Sequence, residues 1–129
     1  MKKKHIRDLM MSNIKFIDQN KTILDAAKLM AKSDIGAVVC KESDGTLAGI
    51  FTERDLLKKV VALGVDLNEP IASVMTRNLV TAQLHDELDK IPGLMVRGGF
   101  RHVPIMDGFD LVGILSIKDL LKNFLNAKK

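Results

Sequence analysis

The sequence has no tryptophan and no tyrosine, and aromatic residues make up only 4% of it. Stacking platforms for single-stranded nucleic acid use more aromatic side chains than this. The core must therefore be built from Ile, Leu, Val, Ala and Met. Cys40 is the single cysteine, which excludes an internal disulfide framework and a metal site of several thiolates. It lies in the apolar run AVVC and reads as a small buried hydrophobe that suits a reducing, cytoplasmic compartment. No apolar run is long enough to span a bilayer, and the charged N-terminus is not followed by a signal-peptide core. His5, His85 and His102 are scattered without metal-ligand spacing, and His85 reads as an exposed helix start. No G-x-S-x-G elbow, H-E-x-x-H pair or Walker loop occurs. Neither catalysis nor a metal cofactor is expected.

What is present is apolar and mildly basic. The chain has 129 residues, 47% of them hydrophobic, enough for one compact domain or two half-size units sharing a core. The formal charge of +4 comes from 20 basic and 16 acidic residues. Part of the excess lies at the ends, in Lys2 to Lys4 and in Lys128 and Lys129, which read as solvated termini. Binding to nucleic acid through this charge is the weakest of the functional readings. The seven methionines read as core filling.

The chain repeats itself. GIFTERDLL, from Gly49, and GILSIKDLL, from Gly113, are identical at five of nine positions. An offset of 65 pairs Ile6 with Ile71, Met10 with Met75, Asn13 with Asn78, Leu29-Met30 with Leu94-Met95, and Val38 with Val103. After one deletion in a loop the offset becomes 64, pairing Gly49 with Gly113 and Asp55 with Asp119. A match that runs from end to end marks a duplicated unit.

Each copy has the same predicted order. A helical lead-in (6–11, 70–75) precedes a short extended stretch (14–17, 79–82). In TILDAAKLMAKS, the spacing of Ile23, Ala26, Ala27 and Met30 predicts an amphipathic helix, with Thr22 as N-cap and Asp25 completing a capping box. An apolar strand from Gly36, an Asp-Gly turn and a second strand LAGIF predict a hairpin that leads into a helix at Thr52. In the second copy the strands fall at 102–106 and 111–116, with the turn at Asp107-Gly108. Pro92 falls where the first copy has mid-helix Ala27, so the second helix must start late or bend.

A tandem β-α-β-β-α repeat, each copy ending in G-x-x-[ST]-x-x-D, resembles a pair of CBS domains, also called a Bateman module. VMTRNLVT and FRHVPIMDGFDLVGILS add to the resemblance, which covers roughly Ile6 to Phe124. The resemblance implies an α+β fold of two CBS repeats, 6–64 and 71–126, packed about a pseudo-twofold axis. It also implies a stand-alone CBS protein that is regulatory rather than enzymatic. Its ligand would be an adenosyl compound (AMP, ADP or ATP, or alternatively S-adenosylmethionine) held between the repeats. Such modules often form homodimers and control an enzyme, channel or transporter. The alternative is a structural or protein-interaction module with vestigial clefts.

T-E-R-D at 52–55 and S-I-K-D at 116–119 also fit a plain helix cap, with Thr52 and Ser116 as N-caps and Asp55 and Asp119 in the first turn. The same groups suit a ribonucleotide. A helix start can hold an anion, a carboxylate accepts from a ribose diol, and Arg54 or Lys118 adds positive charge beside it. The resemblance places Arg101, His102 and Pro104 with Ile50, Thr52, Arg54 and Asp55 in a first cleft. It places Ile35, Gly36 and Ala37 with Ile114, Ser116, Lys118 and Asp119 in a second. The second set has no counterpart of the Arg101 and His102 cations, so a phosphate-rich ligand is expected to favour the first.

Overall fold

The computed structural model describes residues 4–127. Lys2, Lys3, Lys128 and Lys129, read above as solvated termini, lie outside the described residues. The chain divides into two compact units. One runs from Lys15 to Leu79. The other joins the residues up to Ile14 with those from Val80 onward. The fold is α+β, with one three-stranded sheet in each unit.

The Lys15–Leu79 unit follows the order read from the sequence. Strand β1 (Phe16–Asp18) pairs in parallel with β2 (Ala37–Lys41), which pairs antiparallel with β3 (Leu47–Thr52). Here α2 (Ile23–Ser33) supplies the crossover, as parallel neighbours require. Thr22 Oγ1 accepts from the Asp25 N–H at 3.0 Å, and the Asp25 carboxylate accepts from the Thr22 N–H at 3.2 Å, which closes the expected capping box. Ile23, Ala26 and Met30 are buried, and Ala27 is half-buried at the edge of the stripe. The hairpin turn places Gly45 at φ 91°, a conformation open to glycine at no steric cost.

The other unit repeats the plan with α1 (Ile6–Leu9), β4 (Ala82–Gln83), α4 (Ile91–Gly98), β5 (His102–Asp107), β6 (Asp110–Ser116) and α5 (Ile117–Ala127). Here α4 starts late, with Pro92 in its first turn, where a missing N–H costs nothing. A short 3₁₀ turn, Leu88–Lys90, precedes it. The extended stretches expected at 14–17 and 79–82 form strands about two residues later, where β2 and β5 offer partners. His85, expected at a helix start, is exposed in a turn. Among the described residues, no helix is long and apolar enough to cross a membrane.

The lead-ins complete the cores. Ile71, Val74 and Met75 join Ile23, Met30, Val38, Cys40 and Phe51 in the Lys15–Leu79 unit. Ile6 joins Val103, Ile105 and Leu115 in the other. Each lead-in thus covers the sheet of the copy that it does not precede. It also makes a two-bond backbone bridge to the hairpin. Ile50 and Thr76 exchange N–H···O bonds of 2.9 and 2.8 Å, as do Ile114 and Met11.

The first glycine of the doubled phrase makes this approach possible. A Cβ on Gly49 would stand 2.6 Å from the backbone oxygen of Thr76. A Cβ on Gly113 would meet the flexible Met10 side chain, and the Met11 backbone oxygen only at 3.1 Å. Gly49→Ala must therefore displace backbone and is expected to cost about 1–3 kcal/mol. Gly113→Ala should cost under about 1 kcal/mol, because Met10 can turn aside and the unfolded chain loses freedom. Urea denaturation of the two variants checks the order, and equal losses would contradict it.

Candidate functional site

Side chains alternate across each sheet. Val38, Cys40 and Phe51 point into one core, and Val103, Ile105 and Leu115 into the other. Ala37, Ile50 and Thr52 therefore share the opposite face of the first sheet, and His102, Pro104, Ile114 and Ser116 the opposite face of the second. The register aligns them within each unit. Ala37 pairs with Thr52, His102 with Ser116, and Pro104 with Ile114. Ile35 instead packs half-buried against its unit's core. Arg54, Arg101 and Lys118 are exposed, and His102 is half-buried.

Both helix starts carry the cap expected from T-E-R-D and S-I-K-D. Thr52 Oγ1 accepts from the Asp55 N–H at 3.1 Å, and Asp55 Oδ2 accepts from the Thr52 N–H at 3.0 Å. Ser116 Oγ accepts from the Asp119 N–H at 3.2 Å and donates to Asp119 Oδ2 at 2.9 Å. Asp119 Oδ2 also accepts from the Ser116 N–H at 2.9 Å. A further amide is engaged in each copy. Glu53 N–H donates to the Gly36 carbonyl at 3.0 Å, and Ile117 N–H to the Arg101 carbonyl at 2.9 Å. Two of the first three helical N–H groups are thus satisfied within the fold. That leaves less of the helix start for an anion than the sequence pattern suggests. Gly36 is also confined, since a Cβ there would run into the Glu53 carboxylate.

The two carboxylates differ in a way that sequence reasoning missed. Asp55 is 7% exposed. Its Oδ1 lies 3.1 Å from Lys59 Nζ and accepts from the Thr76 hydroxyl at 3.2 Å. Lys59 Nζ also donates to Thr76 Oγ1 at 3.1 Å and to the Val74 carbonyl at 3.3 Å. Lys59 sits where the short helix α3 (Glu53–Asp55) widens into a π-helical stretch, Leu56–Val61. The Asp55 side chain is 10% exposed and the Lys59 side chain 42%, so this half-buried pair is worth more than the ~0–1 kcal/mol of surface pairs. It is worth less than the ~3–5 kcal/mol lost when a buried pair is broken. Asp55-x-x-x-Lys59 was a legible i, i+4 signal. The arrival of Thr76 was not, because it depends on the lead-in bridge.

Cys40 is fully buried, and burial pushes its thiol up to about 12, with the nearby Asp55 charge adding to the shift. The thiolate is the reactive form, so Cys40 is inert in the folded protein. A thiol-reactive disulfide reagent at pH 8 should leave it unmodified in buffer and modify it fully in denaturant; prompt reaction in buffer would contradict the burial. Among the described residues, no three His, Cys, Asp or Glu side chains group to hold a metal.

Two β-α-β-β-α units, each ending in a hydroxyl–carboxylate cap on the face away from its core, define a tandem repeat module. The CBS domain model matches residues 6–62 and 71–126, and the chain belongs to the CBS-domain family. It is 34% identical over 118 residues to the Bacillus subtilis CBS domain-containing protein YhcV, covering 92% of this chain and 84% of that one. The crystal structure of the CBS-domain containing protein ATU1752 from Agrobacterium tumefaciens superposes with a TM-score of 0.86 at 35% identity, over 93% of this chain and 98% of that one. The CBS domain pair of protein MJ0100, solved with 5′-methylthioadenosine and S-adenosyl-L-methionine, gives a TM-score of 0.87 at 27% identity over 99% and 100% of the chains. The protein is a CBS pair, a regulatory module by family.

Proposed function

We propose that this CBS pair senses an adenosyl ligand (AMP, ADP, ATP or S-adenosylmethionine) and acts by regulation rather than catalysis. The observation that carries the reading is the duplicated set of Thr52 with Asp55 and Ser116 with Asp119. In each set the hydroxyl stands on a sheet face turned away from its own core, and the helix cap ties the carboxylate to it. A hydroxyl, a carboxylate acceptor and a neighbouring cation match a ribose diol and an anionic or polar tail. The ligands in the MJ0100 complex belong to the same adenosyl class. Ile50, Pro104 and Ile114 supply apolar surface for the adenine, and Arg54, Arg101, His102 and Lys118 supply positive or polar contacts. Ligand preference for one of two conformations would shift a partner surface, since a ligand with equal affinity for both shifts nothing. The regulated enzyme or transporter is set by that surface, and the location is the cytoplasm.

A thermal-shift panel tests the reading. A bound ligand stabilises the fold with the logarithm of its concentration, by ~2.7 kcal/mol at one hundred times its dissociation constant, and so raises the melting temperature. AMP, ADP, ATP or S-adenosylmethionine should produce this rise and free adenine should not; no response to any of them favours an interaction module.

The same duplication supports a homodimer. Leu57 and Val61 are 61% and 64% exposed, and their counterparts at offset 64, Leu121 and Leu125, are 55% and 62% exposed. Equivalent apolar residues on both copies suit a two-fold interface, which must be self-complementary. Light scattering should give twice the chain mass for the natural sequence and the single mass for Leu57→Lys with Leu121→Lys.

A further inference from the structure

We infer that Lys59 is a specificity-determining residue that closes the first carboxylate, leaving the Asp119 copy as the one that takes the ribose diol. The inference rests on the ligand reading and narrows it. Asp55 uses both carboxylate oxygens inside the fold. Its Oδ2 holds the Thr52 cap, and its Oδ1 meets the Lys59 ammonium and the Thr76 hydroxyl. A ribose diol is neutral. To reach Oδ1 it would have to displace an ammonium at 3.1 Å from a carboxylate that is nearly out of water. Hydroxyl donors do not replace that charge, so the exchange is unfavourable.

The second copy has neither closing group. At the same offsets Lys59 becomes Asn123 and Thr76 becomes Met11. The Asp119 carboxylate makes its cap contacts with Ser116 through Oδ2, from the Ser116 N–H and hydroxyl, and its Oδ1 is not used by the cap. The backbone bridge is present in both copies, so the lead-in approaches each hairpin alike. Only the side chains that it brings differ. The closed Asp55 carboxylate therefore goes against the expectation that the first set is the favoured one.

Calorimetric titration of the full chain with AMP, and separately with S-adenosylmethionine, tests the closure. The natural chain should bind one equivalent, and Asp119→Ala should weaken binding by at least about tenfold. Lys59→Met should raise the stoichiometry to two; Lys59→Gln, which keeps a donor, covers the case in which the Met variant folds poorly. Asn123→Lys carries the closure into the second copy. The introduced ammonium lies one turn from Asp119 on the regular helix α5, and affinity should fall at least about tenfold. Two equivalents bound by the natural chain, or an unchanged affinity in Asn123→Lys, would overturn the closure while sparing the ligand reading. No binding of either compound by any of these chains would overturn both.

Discussion

The fold depends on one close approach, the crossing of each lead-in over the hairpin strand at the first glycine of the doubled phrase. With no Cβ at Gly49, the Thr76 backbone comes near enough to exchange two hydrogen bonds with Ile50. That bridge seats Ile71, Val74 and Met75 in the core and caps a sheet too small to bury its own inner face. The same arrangement, with Met11 and Ile114 over Gly113, seats Ile6 in the other unit. A sheet of three short strands has little apolar area to bury alone, and the lead-in supplies the missing cover. In one copy the crossing also brings the Thr76 hydroxyl to the carboxylate of the helix start that follows. The residue at the bridge in the other copy is Met11.

Duplication and divergence act at different levels here. The backbone plan is kept in both copies: a parallel strand pair, an antiparallel hairpin with an Asp-Gly turn, and a capped helix. The cap chemistry is kept too, since a helix start needs its N–H groups satisfied whether or not anything binds there. Divergence lies in what surrounds the cap. Lys59 and Thr76 turn Asp55 into the centre of a network that ties a helix to a lead-in, whereas Asp119 serves its own cap. Two carboxylates in the same motif can therefore have different partners.

Much of this was legible in the residues. The Thr22–Asp25 box, the burial of Cys40 and the course of both hairpins follow from spacing or from the chemistry of one or two residues, whereas Pro92 left a late start or a bend open and the structure takes the late start. The resemblance carried by G-x-x-[ST]-x-x-D in two copies pointed to the CBS family, and the family match agrees with it. The extended stretches before each first helix were placed about two residues early, because a strand of two or three residues has no periodicity of its own. Its limits are set by the neighbour it pairs with.

The sequence by itself determined the order of elements, the caps, the turns and the fact of duplication. These are local properties, written in side-chain period and in contacts three or four residues apart. Only the tertiary structure decided which sheet each lead-in covers and what each carboxylate touches. Thr76 reaches Asp55 across 21 positions of chain. No local pattern specifies such a contact, because it exists only once the backbone has crossed at Gly49.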